Sequence, residues 1–144
     1  MMNKNLTVSK TVEINAGQEV VWDALTNPAK IKEYFFGTET TSAWKQGSEI
    51  IFKGKYQGKS YRDKGIIREI KPGSFLQYNY WSHFSGLEDK AENYSLVTYR
   101  LRQESGKTIL TVTQTGFAKE DGFRHAETGW EQVLQKIKEI AEKK

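Results

Sequence analysis

The chain contains no cysteine, which removes at once a disulfide scaffold, a thiol nucleophile, a cysteine-based zinc site and a cysteine-ligated iron–sulfur cluster. Proline is nearly as scarce, with two in 144 residues, and no Pro-, Gly- or Ser-rich stretch divides the sequence. At roughly 100 to 200 residues per domain this length accommodates one substantial core, so residues 1–144 are read as a single domain. No run approaches the roughly 18 apolar residues of a membrane span, and the opening Met-Met-Asn-Lys-Asn-Leu lacks the apolar centre of a signal peptide. The expectation is a cytoplasmic protein with no membrane insertion. The glycine patterns of phosphate loops, dinucleotide folds and hydrolase elbows are all missing. Two histidines, His83 and His125, are too few for a metal set unless carboxylates join them, and no cofactor is expected. The net charge of +4 comes from Lys and Arg scattered among acids along the sequence, which points away from nucleic acid.

What the chain does have is rings. Four Trp, seven Tyr and seven Phe stand in a sequence that is only 37% hydrophobic, so much of its apolar surface carries a polar handle. Leu6, Val8, Val12 and Ile14 suggest an opening strand over 5–14, with a slip in alternation at Ser9-Lys10 that reads as a bulge. Val20, Val21, Ala24 and Leu25 lie at helical spacing, and Pro28 opens a second short helix with Ile31, Tyr34 and Phe35 inside. Runs of β-branched and aromatic residues then predict a meander of strands near 38–43, 48–55, 60–70, 74–82, 93–103 and 107–116. Residues 83–92 are polar and aperiodic and read as the longest loop and a flap. Phe123, Ala126, Trp130, Val133, Leu134, Ile137, Ile140 and Ala141 recur every three or four positions, one long amphipathic helix with Asp121 as its cap.

This order is α+β: a curved antiparallel sheet wrapped around a long C-terminal helix, with two short helices after the first strand. A straight helix cannot lie flush on a curved sheet, so the arrangement leaves room for an apolar chamber between them. Leu76, Tyr78 and Tyr80 alternate along one strand, Val97, Tyr99 and Leu101 along the next, and Leu110, Val112 and Gln114 along the last. Each set shares a face, and tyrosine hydroxyls placed in such a chamber want partners; the competing reading is a filled core. Alternation puts Asp63 and Glu69 together with Tyr61, Gly65 and Ile67. They are read either as inward carboxylates or as strand-end groups paired with Arg62, Arg68 or Arg100. Gly129, in mid-helix, calls for a close-packing reason.

Val21-Trp22-Asp23-Ala24-Leu25-Thr26-Asn27-Pro28 followed by Ile31 and Tyr34-Phe35, the segment Gly65–Pro72, the segment Thr108–Gly116 and Gly129-Trp130 together resemble one family. It is the activator of 90-kDa heat-shock protein ATPase homologue (AHSA-type) group of the START-like, birch-pollen-allergen-like (SRPBCC) helix-grip superfamily. The likeness covers nearly the whole chain and departs at Tyr34-Phe35, where the family often has Trp, and at Gln114, where His is frequent. A buried amide at 114 orients a ligand but exchanges no proton with it.

The resemblance implies a helix-grip fold and places Gly65, Ile67 and Glu69 on the inward face. The function expected is binding of a hydrophobic or amphipathic small molecule in the helix–sheet chamber by Tyr34, Phe52, Ile67, Glu69, Tyr78, Tyr80, Val97, Tyr99, Leu110, Val112, Gln114, Trp130 and Leu134. The alternative is a chaperone-associated or stress-related protein-interaction domain, as a monomer or weak homodimer. A second alternative is a cyclase or hydrolase using Glu69 or a tyrosine, although no catalytic set stands out.

Overall fold

The computed structural model describes residues 6–83 and 86–143. In chain order the elements are β1 (Thr7–Ile14), α1 (Gln18–Thr26), α2 (Pro28–Tyr34), β2 (Glu39–Ser42), β3 (Glu49–Tyr56), β4 (Lys59–Lys71), β5 (Phe75–Tyr80), a 3-10 turn (Ala91–Asn93), β6 (Ser95–Glu104), β7 (Lys107–Thr115) and α3 (Glu120–Glu142). The seven strands form one antiparallel sheet in the order β1-β7-β6-β5-β4-β3-β2, a meander whose first strand returns to the edge beside the last. Two short helices follow the first strand, and α3 packs on the sheet's inner face. No described helix is long and apolar enough to cross a membrane.

Asn27 joins the two short helices. Its backbone N–H bonds to the Asp23 carbonyl to end α1, while its side chain accepts the Ala29 N–H at 3.0 Å to start α2, with Pro28 in the first turn where no amide donor is needed. The bulge expected at Ser9-Lys10 is absent, because β1 pairs with β7 in unbroken register. Lys10 shares the inner face with Val8 and Ile14 and bonds Glu131 of α3 at 2.9 Å, so a cation interrupts the apolar pattern without interrupting the strand. Asp121 does not cap α3: the helix starts at Glu120 after Lys119, and both acids lie in the first turn, where the helix dipole favours negative charge.

The irregularity of the sheet lies in β4. Register against β5 shifts between Ile67 and Glu69, so that Ile67 and Ile70 both serve the core and Glu69 is turned to the outer face. Two residues earlier, a Cβ built on Gly65 would stand 1.6 Å from the Asn79 carbonyl oxygen, and the Asn79 side chain takes the Ile66 N–H at 2.7 Å in place of a backbone partner. Only glycine lets the two strands come this close, and such a site marks where a sheet bends. Gly129 is the opposite case. A Cβ there would meet nothing within 4 Å, so the close packing expected of it is absent.

Gly65→Ala is therefore expected to destabilise the protein by about 3 kcal/mol, because the obstacle is backbone that cannot rotate away. Gly129→Ala should stabilise it by about 1 kcal/mol through helix propensity. Urea unfolding of the two variants, read by tryptophan fluorescence, checks both signs.

Candidate functional site

Eleven of the thirteen residues expected to line the chamber are buried: Tyr34, Phe52, Ile67, Tyr78, Val97, Tyr99, Leu110, Val112, Gln114, Trp130 and Leu134. All but Gln114 belong to one contiguous hydrophobic core, Gln114 is bonded to its Trp130, and Tyr80 is half-buried against it. Strand alternation does this work on β5, β6 and β7, as the sequence suggests. Glu69 is the exception. Thrown outward by the β4 bulge, it is half-exposed and paired with Lys71 at 3.4 Å.

The rings form a closed circuit. Phe35 meets Phe52 with centroids 5.8 Å apart, Phe52 meets Tyr78 at 5.8 Å, Tyr78 meets Tyr99 at 6.4 Å, Tyr99 meets Trp130 at 5.8 Å, and Trp130 returns to Phe35 at 6.2 Å. Most of these contacts are edge-to-face or tilted, the geometry that the ring quadrupoles favour. Phe35, one position beyond α2, was assigned by its sequence position to the inner face of that helix but not to the site. The space between helix and sheet is thus occupied by side chains in contact.

Polar groups are threaded through this circuit. Trp130 Nε1 donates to Gln114 Oε1 at 2.8 Å, and Gln114 Nε2 donates to Ser95 Oγ at 2.8 Å, so the buried amide has a partner for both its ends. Tyr34 donates its hydroxyl to the Leu25 carbonyl at 2.7 Å. The Tyr99 hydroxyl is different. It is fully buried, the hydroxyls of Tyr34 and Tyr78 lie near enough to interact with it, and neither is aligned as a hydrogen-bond partner. Burial holds all four phenols, Tyr34, Tyr78, Tyr80 and Tyr99, well above the ordinary tyrosine range, so each remains a neutral hydroxyl at any physiological pH.

At one end of the circuit stands a residue that sequence reasoning left between two readings. Asp63 of β4 is only 8% exposed and lies opposite Phe52 in the sheet register. Its Oδ2 accepts the Tyr80 hydroxyl at 2.7 Å and its Oδ1 accepts the His83 backbone N–H at 2.7 Å. Tyr80 in turn contacts Phe52 at 5.9 Å, which ties the carboxyl to the rings. None of the arginines considered as its partner reaches it. Desolvation raises its pKa, opposed by the hydrogen bonds from the His83 backbone, Tyr80 and the Ser82 side chain and by the nearby imidazole. The signal for this placement was its parity with Gly65 and Ile67.

Of the segment read as a flap, Phe84 and Ser85 lie outside the described residues; the rest is tied to the sheet by Lys64–Asp89 at 2.5 Å and Trp81 Nε1 to the Leu87 carbonyl at 3.2 Å. His125 is exposed on α3. No group of three potential metal ligands occurs among the described residues. Two concavities lie outside the chamber, both wide open: one of about 470 Å³ between Phe36 and the outer face of α3, the other of about 280 Å³ beside Lys136 and Glu139. Charged and amide side chains line most of each, and the buried polar groups described above lie elsewhere.

A seven-stranded curved antiparallel sheet holding one long C-terminal helix over an aromatic interior defines a helix-grip domain. The sequence model of the family described as "Activator of Hsp90 ATPase homolog 1-like protein" matches residues 15–142, and the chain belongs to that family. A solution structure of ChR145 from Cytophaga hutchinsonii is 40% identical, with 96% of this chain and 95% of that one aligned and a TM-score of 0.81. The Aha1 dimer from Colwellia psychrerythraea is 17% identical over 94% of this chain and 96% of that one, TM-score 0.74. CalU16 from Micromonospora echinospora is 20% identical over 94% and 75%, TM-score 0.72. The latter two show likeness of fold alone. No curated protein matches the chain.

Because burial raises the Asp63 pKa, the folded state takes up this proton at a higher pH than the unfolded chain does. The cost of burying the charge is present at neutral pH and is relieved as pH falls through the folded value toward the unfolded one near about 4. The Asp63→Asn variant should accordingly be most favoured relative to the parent at pH 7 and lose that advantage by about pH 4. Paired urea titrations across this range test the sign.

Proposed function

We propose that this protein binds a small hydrophobic or amphipathic molecule between α3 and the curved sheet, within the circuit of Phe35, Phe52, Tyr78, Tyr99 and Trp130. The observation that carries this reading is the Tyr99 hydroxyl, enclosed without an aligned partner. An unsatisfied buried hydroxyl costs about 1–3 kcal/mol, and native proteins keep one for a reason such as a ligand or an ordered water. Ring contacts of about 0.5–1.5 kcal/mol each are replaceable by contacts to a bound apolar body. A ligand with an apolar frame and one polar atom near Tyr99 would offset both terms.

Native mass spectrometry of freshly purified protein, followed by thermal unfolding with fatty acids, flavonoids, sterols and polyketide-like aromatics, tests the proposal. A true ligand should stabilise the fold by about 2.7 kcal/mol at a hundredfold excess over Kd. Tyr99→Phe should stabilise the free protein by about 1 kcal/mol and weaken the ligand. A clean apo mass with no ligand-dependent shift sinks this reading.

A second reading, docking on an acidic protein partner, is favoured by the β3–β4 hairpin. Residues 53–62 hold Lys53, Lys55, Lys59 and Arg62 and no acid, while the rest of the chain carries 18 residues of each sign. Sheet register sets Lys53 directly opposite Arg62, and no ion pair engages any of the four among the described residues. The turn at Gln57-Gly58, both with φ near the left-handed region, holds Tyr56 61% exposed at the tip. Four cations within ten residues thus meet on one arm, and they equal the whole net charge.

The family description names an activator of the Hsp90 ATPase, so an Hsp90-type chaperone is the partner to try. The Colwellia relative is a dimer, and weak self-association is compatible with the fold. Raising ATPase turnover, with Lys55→Glu/Arg62→Glu weakening binding about tenfold and salt weakening it further, would support docking. Equal binding by the charge-reversed protein would remove the hairpin from the interface.

A further inference from the structure

We propose that Asp63 and Tyr80 form the polar end of the ligand site and that the molecule they take carries a protonated amine. This rests on the reading of the chamber as a ligand site and adds the chemical class of the ligand's head group. Asp63 is the one charged residue buried among the described residues. Neither neighbour in sequence neutralises it: Lys64 alternates to the outer face and pairs with Asp89, and Arg62 lies outward beside Lys53. No lysine or arginine forms an ion pair with it among the described residues, and its hydrogen bonds come from neutral donors, the Tyr80 phenol, the His83 backbone amide and the Ser82 side chain.

A carboxylate has about four acceptor positions, and Tyr80, His83 and Ser82 leave about one open here. Burying the charge without a countercharge is costly, and neutral donors offset only part of that cost. An ammonium group supplies the missing positive charge and three donors, enough for Asp63 and for the remaining lone pair of the Tyr80 oxygen. The rings of Phe52, Tyr78 and Tyr80, with centroids linked at 5.8 and 5.9 Å, add aromatic surface at this end, and a ring face attracts a cation. The apolar body would then run toward Tyr99 and Trp130. A carboxylate head would be repelled at this end, and an alcohol would gain a hydrogen bond without the charge. The imidazole of His83 is the other titratable group beside the carboxyl, so all three molecules are compared at one fixed pH of about 7.5.

The test uses three molecules with one apolar body, octylamine, octanol and octanoate, titrated by calorimetry and by two-dimensional NMR at constant salt. The amine is expected to bind about tenfold or more tightly than either of the others, with shifts at Tyr80 and His83. In Asp63→Asn the amine's advantage over octanol should disappear. Equal binding of all three, or an amine preference that survives in Asp63→Asn, overturns the amine inference and leaves the chamber reading standing. Binding of none of the three overturns both. Should Asp63→Asn fail to fold, Tyr80→Phe keeps the question open to measurement: it should lower the amine's affinity more than that of octanol, and equal loss overturns the assignment.

Discussion

The Asn79 carbonyl occupies the space in which any side chain at position 65 would stand, and the rest of the molecule follows from the bend that this contact permits. A flat sheet would meet α3 along its whole length and leave nothing between them. A sheet bent at β4 meets a straight helix of about 35 Å only in part. The volume left over cannot stay empty, because interiors pack to crystalline density. Large flat side chains fill such a wedge with few residues, which is the physical reason for so many rings in so modestly hydrophobic a chain. The β4 bulge, two residues further on, lets Ile67 and Ile70 both face inward.

How much of this was legible in the sequence depended on whether the signal was periodic. The long helix, the two short ones, the meander and the inward faces of β5 to β7 were all readable, since each rests on a period repeated over many residues. Single-residue departures were not. Lys10 looked like a bulge because only α3, more than a hundred residues away, supplies the Glu131 that makes an inward lysine acceptable. Glu69 kept the parity of Asp63 on paper, and a register shift between them reversed it. Gly129 and Gly65 read alike as helix and strand glycines. Only the neighbouring backbone separates an obligatory contact from an open surface.

The interior that results is polar in a restrained way. Its phenols are held neutral by burial and Gln114 is committed to Trp130 and Ser95, so none of these groups titrates or carries charge at neutral pH. Among the described residues the one buried charge is Asp63 at one end, beside the segment that leaves β5. An arrangement of this kind orients dipoles and discriminates among head groups. Proton transfer, by contrast, could not fall to the phenols, which are shifted away from neutrality, or to Glu69, which faces outward.

The helix is attached unequally along its length, and this decides where the interior is able to open. Toward its C-terminus, Lys138 bonds the Glu13 carbonyl at 2.8 Å, Glu142 accepts the Asn15 N–H at 2.7 Å, and Ile137 is fully buried. Nearer its N-terminus the described links to the sheet are made by side chains alone, Trp130 with rings and one amide and Glu131 with Lys10. Backbone hydrogen bonds fix position because carbonyls and amides do not move without their strand. Ring contacts yield to side-chain rotation alone. A ligand that displaces Trp130 from Phe35 and Tyr99 would therefore leave the β1 end of α3 in place, and the cost of admitting it would be side-chain rearrangement rather than loss of the fold. The same asymmetry separates the two functional readings in space. The chamber depends on Trp130 and the inner faces of β3 to β7, whereas Lys53, Lys55 and Arg62 of the basic hairpin project from the outer face, so occupation of one need not disturb the other.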